Sequence, residues 1–290
     1  KKQYDPLLLV PMGSGVMLAN LPMAGLGIVD NSLVQAADGS YMNLMDIAHE
    51  FGIMNFLYYA LIKTGLLPPI IFMGVGALTD FGPMLRNLKL SLFGGAAQLG
   101  IFTVLLVAVL FGFQLNEAAS LAIIGGADGP TAIYTTIKLA PHLLGPIAIA
   151  AYSYMALVPV IIPLVANMMM TKDEFKIHMR KMDKLYPPKN EIKHLKTAKI
   201  IFPIVLGVVV AIFVPSAAPL VGMLLFGNLI KEIGANTSRL ADAASGPIMN
   251  TATIFLGLTV GATMTAEVFL SPQTLGIIVG GFLAFAISVA

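Results

Sequence analysis

One run of residues narrows the choice of fold more than any other. From Leu90 to Phe113 the chain reads LSLFGGAAQLGIFTVLLVAVLFGF, without a single charge. A helix needs about 20 mostly apolar residues to cross a bilayer. Further clean runs lie at Leu143–Met170, Ala198–Val214, Pro247–Ala266 and Gln273–Ala290. Leu7–Val29, Phe51–Leu78, Ala118–Leu139 and Ala217–Ile230 are also apolar, but Pro, Gly or a polar residue interrupts each. Helices satisfy their own backbone in lipid, and barrel strands would alternate in a way these runs do not. The expected fold is an all-α polytopic membrane protein. It should have eight or nine passes or half-passes, some of them broken or re-entrant helices.

Charge supports that reading. Only 11% of residues are charged, against about a quarter in a soluble domain, too few to clothe a water-facing enzyme. Nine of the 17 Lys and Arg fall in Lys172–Lys199 beside four acids, so that stretch is net +5 and the remainder net −3. Such a short basic connection is expected on the cytoplasmic side. It divides the chain into a first membrane half (1–170), a basic loop (171–199) and a second membrane half (200–290). No general basic balance invites nucleic acid. Cysteine is absent, which excludes disulfides, thiol nucleophiles and thiolate metal sites. The chain opens KKQYDPLLLV and stops inside the apolar FLAFAISVA. It is expected to be a fragment whose second half is truncated at its C-terminal end.

Glycines recur inside the apolar runs, as in GGAAQLG, GGADG, GLTVGA and GIIVGG. Small residues let membrane helices approach closely, and most of these glycines are expected to be helix contacts. Pro68–Leu85 also resembles Ala218–Leu240 in outline, and Leu115–Ile124 resembles Leu270–Val279. Paired, inverted repeats of the kind found in transporters would produce such a likeness.

The segment with most chemistry is LAIIGGADGPTAIYTTIK, Leu121–Lys138. Asp128 is an acid in an apolar stretch, where a charge costs roughly 2.5–3.5 kcal/mol on insertion scales. It must face protein, water or a cation. Pro130 makes a continuous helix through GGADGP improbable, and a broken helix leaves carbonyls and N–H groups unpaired. A carboxylate with free carbonyls from Gly125, Gly126 and neighbours such as Gly129 suits Na⁺. The plainer reading is a kink in which Asp128 is protonated or paired with a helix end. Asp80 reads as a cap or loop residue, and Glu232 and Asp242 as members of a solvated polar turn with Lys231 and Arg239. Asn228, inside MLLFGNLI, needs a partner for its amide and is either a cation ligand or a link between helices. Tyr152 and Tyr154 lie in a charge-free segment, where a phenol takes a hydrogen bond or relays a proton. Asn250, Thr251 and Thr253 read as helix-to-helix hydrogen-bonding groups.

These landmarks resemble the membrane β subunits of the sodium-pumping, biotin-dependent decarboxylases that act on oxaloacetate, methylmalonyl-CoA or glutaconyl-CoA. The likeness is carried, in order, by KKQYDPLLLVPMG, IIFMGVGALTDFGPML, IIGGADGPTAIY with KLAPHLLG, AAYSYMALVPVI, MLLFGNLIKEIG and TIFLGLTVGATM followed by FLSPQTLGI. The resemblance implies that a soluble carboxyltransferase and biotin-carrier subunit delivers carboxybiotin to this chain. Decarboxylation there consumes a proton and drives Na⁺ outward. A small membrane subunit is implied as a further partner in a bacterial or archaeal cytoplasmic membrane, and a homo-oligomer stays open. The family's intramembrane aspartate falls on Asp128, and its proton-delivering tyrosine falls on Tyr154, with Tyr152 expected to matter less. A later family segment beginning Asn-Pro-Leu-Ile-Gly is not in this chain, and the basic loop is longer than the family leads one to expect.

Two other classes compete. A secondary sodium–carboxylate symporter would need a cationic clamp within the membrane, for which Lys138 is the candidate. An intramembrane protease or prenyltransferase would need paired acids, and GGADG offers one.

Overall fold

The computed structural model describes residues 6–35, 40–171, 173–177, 182, 185 and 194–290. Most of the basic Lys172–Lys199 stretch, and so the boundary drawn through it, lies outside the described residues. Among those residues there is no sheet, only an isolated bridge between Gln35 and Tyr41. The main helices are α1 (Pro6–Ala19), α2 (Leu44–Leu57), α3 (Leu67–Leu78), α4 (Ser91–Leu110), α5 (Leu115–Ala122) and α6 (Gly129–Leu139). They continue with α7 (Leu144–Met169), α8 (Leu195–Phe213), α9 (Ala218–Ile233), α10 (Met249–Gly261) and α11 (Pro272–Val289).

Among the described residues, five helices are long and apolar enough to cross a membrane. There are six if the α2–α3 pair, bent by 63°, is one span. The uncharged α7, with 26 residues, has the length as well. The expected count of eight or nine is not reproduced on these criteria. The physical reason is that α1, α5 and α6, with 14, 8 and 11 residues, fall short of a bilayer's thickness. On α4 the side chains of Leu92, Phe93, Leu99, Phe102 and Leu106 point outward, as do Ile201, Ile204, Val205, Val208 and Ile212 on α8. A belt of this kind belongs in lipid.

Two apolar groups hold the helices together. One joins Val104 and Ala108 of α4, Leu121 of α5, Ile147 and Tyr154 of α7, and Ile277 and Phe285 of α11. The other joins Met12 of α1, Ile47 of α2, Ile71 of α3, Ile133 of α6, Leu144 and Tyr152 of α7, and Leu256 and Val260 of α10. Helix α7 therefore serves both.

Glycine sets the closest approaches. A Cβ at Gly76 of α3 would fall 1.9 Å from the Leu224 carbonyl oxygen of α9, and one at Gly227 would fall 1.9 Å from that of Met73. Gly15 and Gly261 are locked in the same reciprocal way between α1 and α10. In both crossings each glycine meets the carbonyl of the residue three places before its partner glycine. Gly94 and Gly95, by contrast, have nothing within 4 Å among the described residues.

The end of α3 is fastened by polar groups. Lys199 of α8 pairs with Asp80 at 2.6 Å and with Glu232 of α9 at 3.3 Å. Asp80 also accepts from the Gly82 N–H at 2.9 Å, as a loop cap does. Lys231 donates to the Thr79 carbonyl at 2.7 Å. The partner of Glu232 is thus Lys199 from another helix and not its neighbour Lys231.

Candidate functional site

The segment around Asp128 is a helical hairpin. A capping box formed by Gln114 and Glu117 starts α5. The chain then tightens into a 3₁₀ turn, Ile123–Gly126, before Ala127 takes a left-handed conformation (φ 53°, ψ 35°). That conformation costs a non-glycine residue roughly 1–2 kcal/mol. Asp128 is extended (φ −131°, ψ 101°) and stands at the N-cap of α6. Pro130 falls in the first turn of α6, where its missing N–H would have had no helical partner.

The two legs meet again at their base. Asn116 donates its amide to the Leu139 carbonyl at 2.9 Å. Glu117 and His142 are 2.8 Å apart. The hairpin therefore leaves and re-enters on one side, the side where α7 begins. Its legs are roughly 16–20 Å long, against about 30 Å for a hydrocarbon core. This is a re-entrant element, built from what looked like one interrupted pass.

At the tip, Gly126 and Ala127 are exposed and Asp128 is half-buried. The Thr131 hydroxyl donates to the Asp128 carboxylate. Gly125 lies against α11, where a Cβ would come within 3.0 Å of Ser288 Oγ and 3.1 Å of the Ala284 carbonyl oxygen. Ser288 Oγ is buried and has no hydrogen-bond partner among the described residues. Gly129 lies under the ring of Tyr152 from α7, with the space for a Cβ only 2.3 Å from Tyr152 Cε1.

The fold brings four of the anticipated residues together: Asp128, Gly125, Gly126 and Gly129 form one tip. Tyr154 turns the other way. Its hydroxyl donates to the Ile278 carbonyl of α11, and its ring lies 5.9 Å from that of Phe282. Asn228 belongs to the α3–α9 crossing, where it donates to the carbonyls of Thr79 (2.8 Å) and Gly76 (3.3 Å). Its Oδ1 is buried without a partner among the described residues. Thr131, Tyr152 and Ser288 complete the surroundings of the tip. Of these, the sequence singled out Tyr152, as a phenol in a charge-free segment. Thr131 and Ser288 were missed, although Thr131 stands three residues after the cap, a spacing that could have found it.

Long apolar helices packed around a hairpin that carries an acid at its turn define a polytopic membrane protein. Comparison with known proteins makes the class specific. The whole chain, residues 1–290, matches the family described as the Na⁺-transporting oxaloacetate decarboxylase beta subunit, and it belongs to that family. It is 47% identical over 290 residues to the methylmalonyl-CoA decarboxylase subunit beta of Propionigenium modestum, an alignment covering 99% of this chain and 71% of that one. It is 43% identical to the oxaloacetate decarboxylase beta chain of Klebsiella pneumoniae, covering 100% of this chain and 74% of that one. Identity to the glutaconyl-CoA decarboxylase subunit beta of Acidaminococcus fermentans is 44%, covering 98% and 67%. The chain is thus a multi-pass membrane subunit of a multi-subunit, Na⁺-transporting decarboxylase. The symporter reading is not favoured.

Proposed function

We propose that this chain receives carboxybiotin from a partner subunit and couples its decarboxylation to Na⁺ export, with Asp128 at the hairpin tip as the ion's carboxylate. One observation carries the assignment. Asp128 is the acid at the turn of a hairpin, next to a 3₁₀ turn whose last residue, Gly126, is exposed. A half-buried carboxylate in lipid needs a counter-charge. Either Na⁺, with the carbonyls of Gly125 and Gly126 replacing its water, or a proton can supply it. Gly129, expected from the sequence to be a third carbonyl ligand, is the first residue of α6 and turns its carbonyl into that helix. Thr131 holds one carboxylate oxygen and leaves the other for the ion.

Carboxybiotin is the substrate, and its breakdown to biotin and CO₂ takes up one proton. Competition between that proton and Na⁺ for Asp128 links the chemistry to the ion. The role of Tyr154 as the proton donor rests on the family resemblance, and its hydroxyl is held in a hydrogen bond, as a relay group must be. The Asn228 amide N–H groups cap α3, and its Oδ1 stays available as an acceptor at the α3–α9 crossing. We assign residues 1–170 and 200–290 to two membrane halves and 171–199 to a cytoplasmic loop. The hairpin base then faces outward, in a bacterial or archaeal cytoplasmic membrane. The partners are a carboxyltransferase, a biotin carrier and a small membrane subunit.

The test is Asp128→Asn in the complete decarboxylase reconstituted into liposomes. Na⁺-stimulated decarboxylation and ²²Na⁺ uptake are both expected to vanish while the complex still assembles. Pumping at near wild-type rate would remove Asp128 from the ion path.

A further inference from the structure

Two phenols lie two positions apart on α7, so they leave the helix about 200° apart. Tyr154 joins the apolar group of α4, α5 and α11, whereas Tyr152 joins that of α1, α3, α6 and α10. Tyr152 is only 6% exposed. Its ring occupies the space that any side chain at Gly129 would need, with Cε1 at 2.3 Å, Cζ at 2.5 Å and Cδ1 at 2.9 Å from a Cβ built there. Gly129 is itself buried and is the first residue of α6, directly after Asp128.

On the far side of the tip, Gly125 rests on the Ala284 carbonyl and Ser288 of α11. The turn carrying Asp128 is thus gripped between two walls, and each wall meets it at a glycine. Rigid placement matters here, because carbonyl and carboxylate oxygens select and hold an ion by number and position.

We infer that Tyr152 is a positioning residue for the cation site: its ring, seated on Gly129, sets where the Asp128 carboxylate stands relative to the carbonyls of Gly125 and Gly126. The inference rests on the reading of Asp128 given above. It makes Gly129 a steric requirement of the Tyr152 ring. It also gives Tyr152 a part in ion affinity that the sequence placed second to Tyr154.

The experiment measures the Na⁺ concentration for half-maximal decarboxylation by the complete complex in liposomes, for single and double variants. Gly129→Ala and Tyr152→Leu are each expected to raise it about ten- to a hundredfold, the usual effect of losing support for an ion ligand. Tyr152→Phe, which keeps the ring, should stay close to wild type. The double variant Gly129→Ala/Tyr152→Leu should be no worse than Tyr152→Leu alone, because the smaller side chain yields the space the new methyl needs. If Tyr152→Leu does not assemble, Tyr152→His, with a smaller flat ring, is read in the same way.

Half-saturation unchanged in both single variants, with only the maximal rate lowered, would reduce Tyr152 to a core residue and overturn the inference. So would effects that multiply in the double variant, or a Tyr152→Phe effect as large as that of Tyr152→Leu. Any of these results beside an inactive Asp128→Asn sinks the inference alone. A wild-type Na⁺ response from Asp128→Asn sinks the site reading beneath it.

Discussion

Gly227→Ala adds one methyl group where α3 and α9 touch. The new Cβ would stand 1.9 Å from the Met73 carbonyl oxygen and 3.0 Å from the Ala77 nitrogen. Both are backbone atoms inside a helix, so neither can swing aside. Carbon and carbonyl oxygen in contact sit about 3.3–3.6 Å apart, so the helices must part by roughly 1.4 Å. Overpacking of this kind costs about 1–3 kcal/mol. Separation also stretches the bonds from Asn228 to Gly76 and Thr79, and interhelical bonds in membranes are each worth about 0.6–1.7 kcal/mol. The expected loss is therefore about 2–6 kcal/mol. Gly222, on the same helix, has nothing within 4 Å. There the same substitution should gain up to about 1 kcal/mol from helix propensity. The chain contains no Trp, so SDS-induced unfolding of the purified protein is best followed by circular dichroism. Opposite signs for the two glycines are expected. A loss below about 0.5 kcal/mol for Gly227→Ala, the usual size of a surface effect, would refute the closeness of this crossing.

Two further outcomes follow from single contacts. The Lys199 ammonium, and after it the Gly82 N–H, hold the Asp80 carboxyl below the ordinary carboxylate range. A depressed folded-state value stabilises above the unfolded one, near pH 4, and that stability is lost as the pH falls through the folded-state value. Asp80 is 53% exposed, so its share is under about 1 kcal/mol and should vanish in Asp80→Asn. Lys199→Met should cost more, about 3 kcal/mol, because it also strands the mostly buried Glu232. Equal unfolding midpoints for the two variants at pH 7 would contradict the shared clamp. Tyr154→Phe should slow decarboxylation while the complex assembles normally, with a stability loss of about 0.5–1.5 kcal/mol for the bond to Ile278. An unchanged turnover rate would return Tyr154 to a structural role.

The long spans were legible because a charge-free run such as Leu90–Phe113 has one physical solution in lipid. The hairpin was legible only in part. Gly-Asp-Gly-Pro announces a break, but Ala118–Leu139 is long enough to pass for a crossing. Its return is decided by contacts between distant residues, Asn116 with Leu139 and Glu117 with His142. The left-handed turn falls on Ala127, a residue whose identity gives no warning of it. The cap role of Asp80 could be read from its place at the end of an apolar run, but its ionic partner Lys199 could not. Asn228 had two readings, and the carbonyls at the end of α3 supply its partners. Tyr152 and Tyr154 were ranked only by the family resemblance, not by any residue-level signal. Adjacent phenols on a helix look alike until tertiary packing decides which face meets the tip.

That face-sharing by α7 bears on coupling. One side of α7 carries Tyr152 onto Gly129, and the other carries Tyr154 onto the Ile278 carbonyl of α11. Helix α11 in turn presses Ala284 and Ser288 against Gly125. The tip is therefore touched from two directions by a single continuous structure, α7 bonded to α11. On the proposed reading, exchange of Na⁺ for a proton at Asp128 leaves the net charge the same. It replaces a many-oxygen coordination with a single O–H bond, which alters what the tip asks of both walls. A shift of α7 relative to α11 alters the carbonyl geometry that Na⁺ requires. Ion occupancy and the environment of Tyr154 are then linked through packed backbone and two aromatic rings. In a proposed Na⁺ pump this gives a physical route by which a proton taken up near Tyr154 is felt at the ion.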